Sequence, residues 1–131
     1  MEFGPNNPPY DNIGGEEVVR QLVTAFYDSM DNDLEFAGIR ALHPEDLAES
    51  REKLFEFLSG WLGGPDLYVQ RRGHPRLRMR HAPFPIGTSE RDQWLSCMGG
   101  AMDKCGISGD VRTFLDGRFA HVADFMRNTP S

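Results

Sequence analysis

Apolar residues in four long segments of this chain recur at the three- and four-residue spacing of an α-helix. The clearest segment, residues 16–30, opens with acidic residues and carries an apolar stripe of Val18, Val19, Leu22, Val23, Phe26, Tyr27 and Met30. Comparable stripes span residues 44–62, 88–106 and 108–128, and no segment alternates convincingly as a β-strand would. The pattern predicts an all-α fold of four substantial helices and one short helix.

Proline and glycine residues indicate where these helices begin and end. Pro44 suits the first turn of the second long helix, and the sequence Gly63-Gly64-Pro65 stops it. We expect a loop containing Tyr68 to follow, and Thr88 or Ser89 to cap the third long helix. Residues 1–13 are rich in proline, glycine and asparagine. They predict a loose arm, which leaves residues 14–131 as the folded domain.

The short helix places one histidine among apolar neighbours. Pro75 can open a helix that Pro83 forces to close near His81, about two turns later. Leu77 lies four residues before His81 and on the same face, and Phe84 follows in the exit loop. A lone histidine at a helix end usually has only a favourable interaction with the last carbonyls. The alternative is a ligand role, and a haem iron is the partner that such apolar surroundings favour.

Three polar side chains fall on stripes that should face the interior. Tyr27 shares its stripe with Val23 and Met30, Ser50 lies at helical spacing from its apolar neighbours, and Trp94 adds an indole donor. Each has an ordinary explanation alone, such as a bond to a backbone carbonyl or plain packing. Together with His81, they fit better as the two sides of a cofactor pocket, because buried donors need acceptors.

Composition narrows the classes of partner. The chain has 131 residues and a net charge of −6. That charge disfavours general binding to nucleic acid, although Arg71, Arg72, Arg76, Arg78 and Arg80 form a local basic cluster. No apolar run approaches about 18 residues, so no membrane partner is expected and a cytoplasmic location is the default. Cys97 and Cys105 are eight residues apart on one predicted helix, too far for a disulfide.

The chain resembles the truncated haemoglobins, specifically their group II (O-type) branch, from about residue 10 to residue 130. The anchors of the resemblance are Gly14-Gly15, Phe26-Tyr27, Pro44-Glu45-Asp46-Leu47, Gly63-Gly64-Pro65, residues 72–84, Trp94-Leu95 with Cys97-Met98, and Asn128-Thr129-Pro130. Residues 72–84 with a tryptophan ten residues beyond them are the most specific. The resemblance implies a two-over-two helical sandwich around haem b (iron protoporphyrin IX).

The resemblance also implies roles for individual residues. His81 becomes the axial ligand of the iron, Tyr27 and Trp94 the donors on the gas-binding side, and Leu54 an apolar wall there. Two further distal positions are His43 and Ser50. Residues that reach the haem propionates are Lys53, Tyr68 and Arg80. Residues that pack against the porphyrin are Phe57, Leu77, Phe84, Ile86 and Met98.

His43 is where this chain departs from relatives that carry a tyrosine. A histidine there offers a titratable hydrogen-bond donor or, if it swings inward, a second iron ligand, and we favour the donor role. His74 and His121 are not strong ligand candidates.

The function implied is reversible binding of O2, and also of CO and NO. A haem redox enzyme, with peroxidase or nitric oxide dioxygenase activity, is the alternative. No flavin or nicotinamide fingerprint is present, so that alternative requires an external electron donor such as a reductase. A cofactor-free helical interaction module is a further rival, and it predicts a colourless protein. Whether the protein forms a homodimer is left open.

Overall fold

The helices of the computed structural model follow the predicted stripes. The structure describes residues 3–129, without the side chain of Arg78. Its helices are α1 (Pro9–Ile13), α2 (Glu16–Asn32), α3 (Ala37–Arg40), α4 (Ala48–Trp61), α5 (Leu67–Arg72), α6 (Leu77–His81), α7 (Thr88–Lys104) and α8 (Gly109–Phe125), with a 3₁₀ turn at Leu34–Phe36. Within the described residues the only β-type pairing is an isolated bridge between Gly4 and Asn7. The predicted all-α class is confirmed.

Two helix pairs, α2 with α4 and α7 with α8, form the two-over-two arrangement. Helix α2 packs against both α4 and α7, and α7 packs in turn against α8. The stripe of α2 is buried along its length, from Val19 and Leu22 through Phe26 to Met30. Phe125, the last residue of α8, is 53% exposed. Ala123 and Met126 take the inward positions there, and Phe125 points away because successive residues are about 100° apart on a helix.

Helix α4 begins at Ala48, four residues later than Pro44 suggests. The guanidinium of Arg40 donates to the carbonyls of Pro44 and Glu45, both at 2.8 Å. The Asp46 carboxylate then accepts from the Ala48 backbone N–H at 2.9 Å. These bonds hold residues 44–46 as a non-helical connection, and local turn bonds of this type compete with helix formation. The prediction of a helical first turn at Pro44 is therefore wrong.

The segment between α4 and α6 also differs from expectation. Tyr68 lies on the short helix α5 and not in a loop. Helix α6 begins at Leu77 because Arg76 takes a left-handed backbone conformation, with φ of 48°. The Arg76 N–H donates to Nδ1 of His74, and Nε of Arg80 donates to the Pro75 carbonyl. Pro75 thus lies in the connection before the helix and does not open it.

The turn after α4 needs glycine. Gly63 has φ of 96°, and a Cβ at this position would lie 2.6 Å from the side chain of Pro8. A Cβ on Gly64 would lie 2.4 Å from the ring of Tyr10. The backbone N–H of Tyr10 donates to the Leu62 carbonyl at 2.9 Å. Within the predicted arm, the structure thus places α1 directly against the end of α4.

Helix α7 starts at Thr88, with Gly87 at the capping position that we expected Thr88 or Ser89 to fill. The Glu90 carboxylate accepts from the Gly87 N–H at 2.7 Å and so supplies the missing cap. Cys97 and Cys105 are free thiols, as their separation predicts. The thiol of Cys97 donates to the Phe26 carbonyl, and burial raises its pKa to about 12. No helix in residues 3–129 is long and apolar enough to cross a membrane.

Candidate functional site

A cavity of about 540 Å³ lies between α2, α4 and α7 on one side and α5, α6 and α8 on the other. Its size falls in the range typical of cofactor sites, about 300–1,000 Å³. The structure brings together at this cavity every predicted site residue except Met98: Tyr27, His43, Ser50, Lys53, Leu54, Phe57, Tyr68, Leu77, Arg80, His81, Phe84, Ile86 and Trp94.

Met98 lies in the hydrophobic core and not on the cavity wall. Its side chain is fully buried, in the same cluster as Cys97, Ala101 and Met102. It follows Trp94 by four residues, which is one turn or about 6 Å along α7. Trp94 lines the cavity, whereas Met98 on the next turn of the helix is packed in the hydrophobic core.

Eight lining residues were not singled out from the sequence: Ile39, Leu42, Pro44, Glu90, Arg91, Val122, Ala123 and Met126. Val122 and Met126 could have been found, because they are four residues apart on the inward stripe of the last helix. Glu90 and Arg91 carry no such signal, since charged residues in a first helical turn are usually solvated.

His81 presents one uncommitted nitrogen at the end of α6. Its Nδ1 lies 2.7 Å from the Leu77 carbonyl oxygen. A carbonyl oxygen can only accept, so Nδ1 carries the proton and the neutral ring keeps its lone pair on Nε2. No hydrogen bond within residues 3–129 engages Nε2. This is the arrangement that metal-binding histidines use to fix ring orientation and tautomer.

The Asn128 side chain holds the loop that follows His81. Its Oδ1 accepts from the Ile86 N–H at 2.8 Å, and its Nδ2 donates to the carbonyls of Phe84 and His81 at 2.8 and 3.3 Å. The Asn128 N–H donates back to the Ile86 carbonyl. Asn128, which lies three residues past the end of α8, therefore braces both the end of α6 and its exit loop. Helical periodicity could not indicate this role.

Three polar donors line the cavity without a protein partner. The hydroxyls of Tyr27 and Ser50 and the indole N–H of Trp94 make no hydrogen bond within residues 3–129, yet none is sealed away from open space. Tyr27 is 5% exposed, and burial raises the pKa of its phenol, while Arg51 opposes this and Cys97 adds to it. Its hydroxyl therefore stays protonated, as a donor must.

His43 is held in the same way as His81. Its Nδ1 lies 2.8 Å from the Ile39 carbonyl oxygen, so the neutral ring presents Nε2 as an acceptor. Burial lowers the pKa of His43, the bond to Ile39 opposes this, and Arg40 and His81 lower it further. The ring stands edge-on to Tyr27, with centroids 5.8 Å apart. The neutral ring of His43 therefore offers an acceptor at Nε2, whereas the sequence favours a donor role for this residue.

Three cations line the cavity, Lys53, Arg80 and Arg91, and the last of these is paired with Asp92 and Asp124. Lys53 lies 3.3 Å from Glu49 on the same helix. The guanidinium carbon of Arg80 lies 5.8 Å from the ring centre of Tyr68. Both side chains line a cavity that is otherwise mainly apolar, so the site suits a flat apolar group with acidic substituents at its edge.

The donor set fits a metal that brings its own ligands. Within the described residues, no group of three or more histidine, cysteine, aspartate or glutamate side chains could hold a metal ion. One imidazole nitrogen is enough protein ligand for a porphyrin iron, because the porphyrin supplies nitrogens of its own, and both His81 and His43 line this mainly apolar cavity. The residues present therefore fit haem.

Comparison with known proteins shows the family of this chain. Residues 9–128 match the family described as bacterial-like globin. The group 2 truncated hemoglobin YjbI of Bacillus subtilis is 45% identical over 122 residues, which cover 93% of this chain and 89% of that protein. The group II 2-on-2 hemoglobin of Agrobacterium tumefaciens is 41% identical in sequence. Its structure has a TM-score of 0.89 to this one, over 98% of this chain and 97% of that chain.

The crystal structure of the group II truncated hemoglobin of Bacillus anthracis is similar too, at 41% identity and a TM-score of 0.88 over 95% of this chain and 93% of that chain. Both fold and sequence agree with these relatives. The chain belongs to the bacterial-like globin family and, within it, to the group II truncated haemoglobins.

Proposed function

We propose that this globin holds haem b in the 540 Å³ cavity through Nε2 of His81 and reversibly binds O2, with CO and NO as further ligands. The observation that carries the proposal is that His81, in the segment that most specifically resembles the group II truncated haemoglobins, lines this cavity with one ring nitrogen uncommitted. Its Nδ1 is committed to the Leu77 carbonyl, and its Nε2 has no partner within the described residues. When bound, the haem iron supplies coordination of diatomic gases and one-electron redox chemistry.

The protein supplies orientation and polarity. Leu77 and Asn128 fix the imidazole of His81 from two directions, through its Nδ1 and through the backbone carbonyl. An N–H donor bonded to a carbonyl also raises the basicity of the other ring nitrogen. Phe57, Phe84 and Ile86 supply apolar walls for a porphyrin. Lys53, Tyr68 and Arg80 line the same cavity and would bind its propionates by charge and hydrogen bonding.

The opposite wall is built to retain a polarised gas ligand. Tyr27 and Trp94 carry donors without protein partners, so an oxygen ligand with partial negative charge satisfies them. Neutral His43 stands beside Tyr27 with its Nδ1 proton committed to the Ile39 carbonyl, so it adds no further donor to this wall. A related B. subtilis protein, 45% identical with a TM-score of 0.85, is described as an oxygen-avid truncated haemoglobin, which supports this proposal.

The proposed setting is a reducing, cytoplasmic one. Both cysteines are free, and the Cys97 thiol is buried with its pKa raised to about 12, so it is protonated and unreactive.

Absorption spectroscopy of the haemin-reconstituted protein tests the proposal. The reduced protein should show a new sharp band on addition of CO. His81→Gly should weaken haem binding and alter the spectrum, and added imidazole should restore both, because the vacated space admits the free base. His121→Ala, which removes an exposed histidine from α8, is the matched control and should behave as the parent does.

Failure to take up haemin would overturn the proposal. So would a His81→Gly variant that retains haem, spectrum and CO binding as the parent does without imidazole.

A further inference from the structure

Positive charge is concentrated in one part of an acidic chain. Residues 67–89 contain five arginines and no aspartate or glutamate, although the chain as a whole has a net charge of −6. This segment spans α5, α6 and the exit loop. The elements that form one wall of the haem cavity are therefore also the most basic part of the molecule.

Two of these arginines are already paired. Arg71 and Arg72 both contact the buried carboxylate of Glu56, at 3.0 and 2.5 Å, and reach Glu52 and Glu49 as well. Burial of Glu56 raises the pKa of its carboxyl, but the hydrogen bonds from Arg72 and Arg71 outweigh this and leave the pKa lowered. This network fastens α5 to α4, and it leaves both arginines partly exposed.

Arg76 and Arg80 have no acidic partner among the described residues. Arg80 donates to the Pro75 carbonyl and faces Tyr68, and it lines the cavity. Arg76 is exposed, does not line the cavity, and has a left-handed backbone conformation, with φ of 48°. A cation that neither pairs with an acid nor faces the cofactor site is available to a partner.

Apolar side chains are exposed among these cations. Val69 is 43%, Met79 59% and Phe84 40% exposed. Because Phe84 and Arg80 also line the cavity, what we call the arginine surface consists of Val69, Arg71, Arg76 and Met79. Exposed apolar groups within a charged rim are typical of protein interfaces. Because Tyr68, Leu77 and His81 line the cavity from the same helices, this surface lies about one helix diameter, roughly 10 Å, from the haem site.

We propose that the arginine surface docks a small electron-transfer protein with an acidic face, which carries a flavin or an iron–sulfur cluster. The inference rests on the proposed function, because a gas-binding haem is useful only while its iron is ferrous. The carrier gives up one electron and is oxidised, and a ferric iron is reduced to ferrous, with no bond made or broken in the protein. Such encounters are brief, small in area and steered by charge.

Reduced flavodoxin, an acidic one-electron carrier, is a suitable probe. Binding of the haem-loaded protein is measured by calorimetry, and reduction under CO by stopped flow. We expect Arg76→Glu to weaken binding and slow reduction by about tenfold at low ionic strength, with Arg76→Gln intermediate. High salt should remove the differences. Reduced methyl viologen, a cation, should not be slowed by Arg76→Glu.

Lys104→Glu is the matched control. It makes the same change in charge on α7, but ten residues beyond Trp94 and so about 15 Å further along the helix. Its binding and reduction should resemble those of the parent.

The proposal is overturned if Arg76→Glu behaves like the parent, or if Lys104→Glu is affected equally. It is also overturned if flavodoxin does not bind while vesicles of anionic lipid do, in an Arg76-dependent manner. CO binding is checked first in every variant. If the parent does not bind CO, the proposed function itself is wrong. If the parent binds CO normally but its reduction does not depend on charge, only the proposed docking surface is wrong.

Discussion

Replacing Tyr27 by phenylalanine isolates one hydroxyl in the haem cavity. The phenol is 5% exposed and its ring is fixed edge-on against Phe26 and His43, at centroid distances of 5.1 and 5.8 Å. Phenylalanine keeps these contacts and removes only the donor. Because the hydroxyl has no other partner within residues 3–129, its loss should be felt mainly by the bound gas.

The size of the effect follows from the hydrogen bond that is lost. A bond to a group bearing charge contributes about 1.5–3 kcal/mol, and about 1.4 kcal/mol corresponds to a tenfold change in rate. Tyr27→Phe should therefore raise the O2 dissociation rate about tenfold to a hundredfold. Trp94→Phe should act in the same direction. The double variant should be less than additive if both donors reach the same oxygen atom.

Stopped-flow displacement of O2 by CO from the ferrous protein measures this rate. CO dissociation provides an internal comparison, since CO carries less negative charge and should respond less. Tyr10→Phe removes a phenol on α1, outside the cavity, and should change neither rate. An O2 dissociation rate unchanged in both Tyr27→Phe and Trp94→Phe would refute the assignment of these residues as donors.

Three further changes probe the supports of the site. Asn128→Ala removes three side-chain hydrogen bonds to the loop after His81. It should cost about 1–3 kcal/mol of unfolding free energy in urea titrations and speed haem loss to apomyoglobin, and unaltered haem retention would contradict the bracing role. Glu56→Gln should lower the thermal midpoint at low salt, with a smaller loss in high salt, whereas a loss independent of salt would show that charge is not its cause. The pKa of His43 is lowered from 6.5 by burial, so the unfolded chain binds its proton more readily. The stabilising contribution is therefore complete above pH 6.5 and is lost as pH falls through the lowered value, and His43→Gln should flatten this part of the stability profile. Parallel profiles for parent and variant would place the pH dependence elsewhere.

Sequence reasoning identified the helices that bury a long stripe. The apolar stripe of α2 is buried from Val19 to Met30, because α4 and α7 both pack against it and burial there stabilises the helix. Helix α5 was missed because six residues show less than two full turns, and its inward contacts are Tyr68 and an ion network rather than an apolar repeat. Side-chain bonds over short distances, such as those from Arg40 to residues 44 and 45, also moved helix ends in ways that residue type does not reveal.

The candidate site depended partly on family resemblance. Periodicity placed Tyr27 and Ser50 on inward faces, and proline spacing drew attention to His81, but its role as a ligand came from the resemblance. Met98 lies four residues after Trp94, so spacing predicts that both are on the same face of α7. Spacing does not predict where along that face the cavity ends and the core begins. The tautomer of His43 was beyond the sequence as well, since it depends on where the Ile39 carbonyl points.

The brace on the His81 loop has a consequence for how the protein acquires its cofactor. Asn128 lies 47 residues after His81, so α6 leaves the ribosome well before the residue that secures it. A nascent chain therefore presents an imidazole whose loop is still free to move. We therefore expect haem to be held firmly only after α8 has docked and Asn128 has closed the loop.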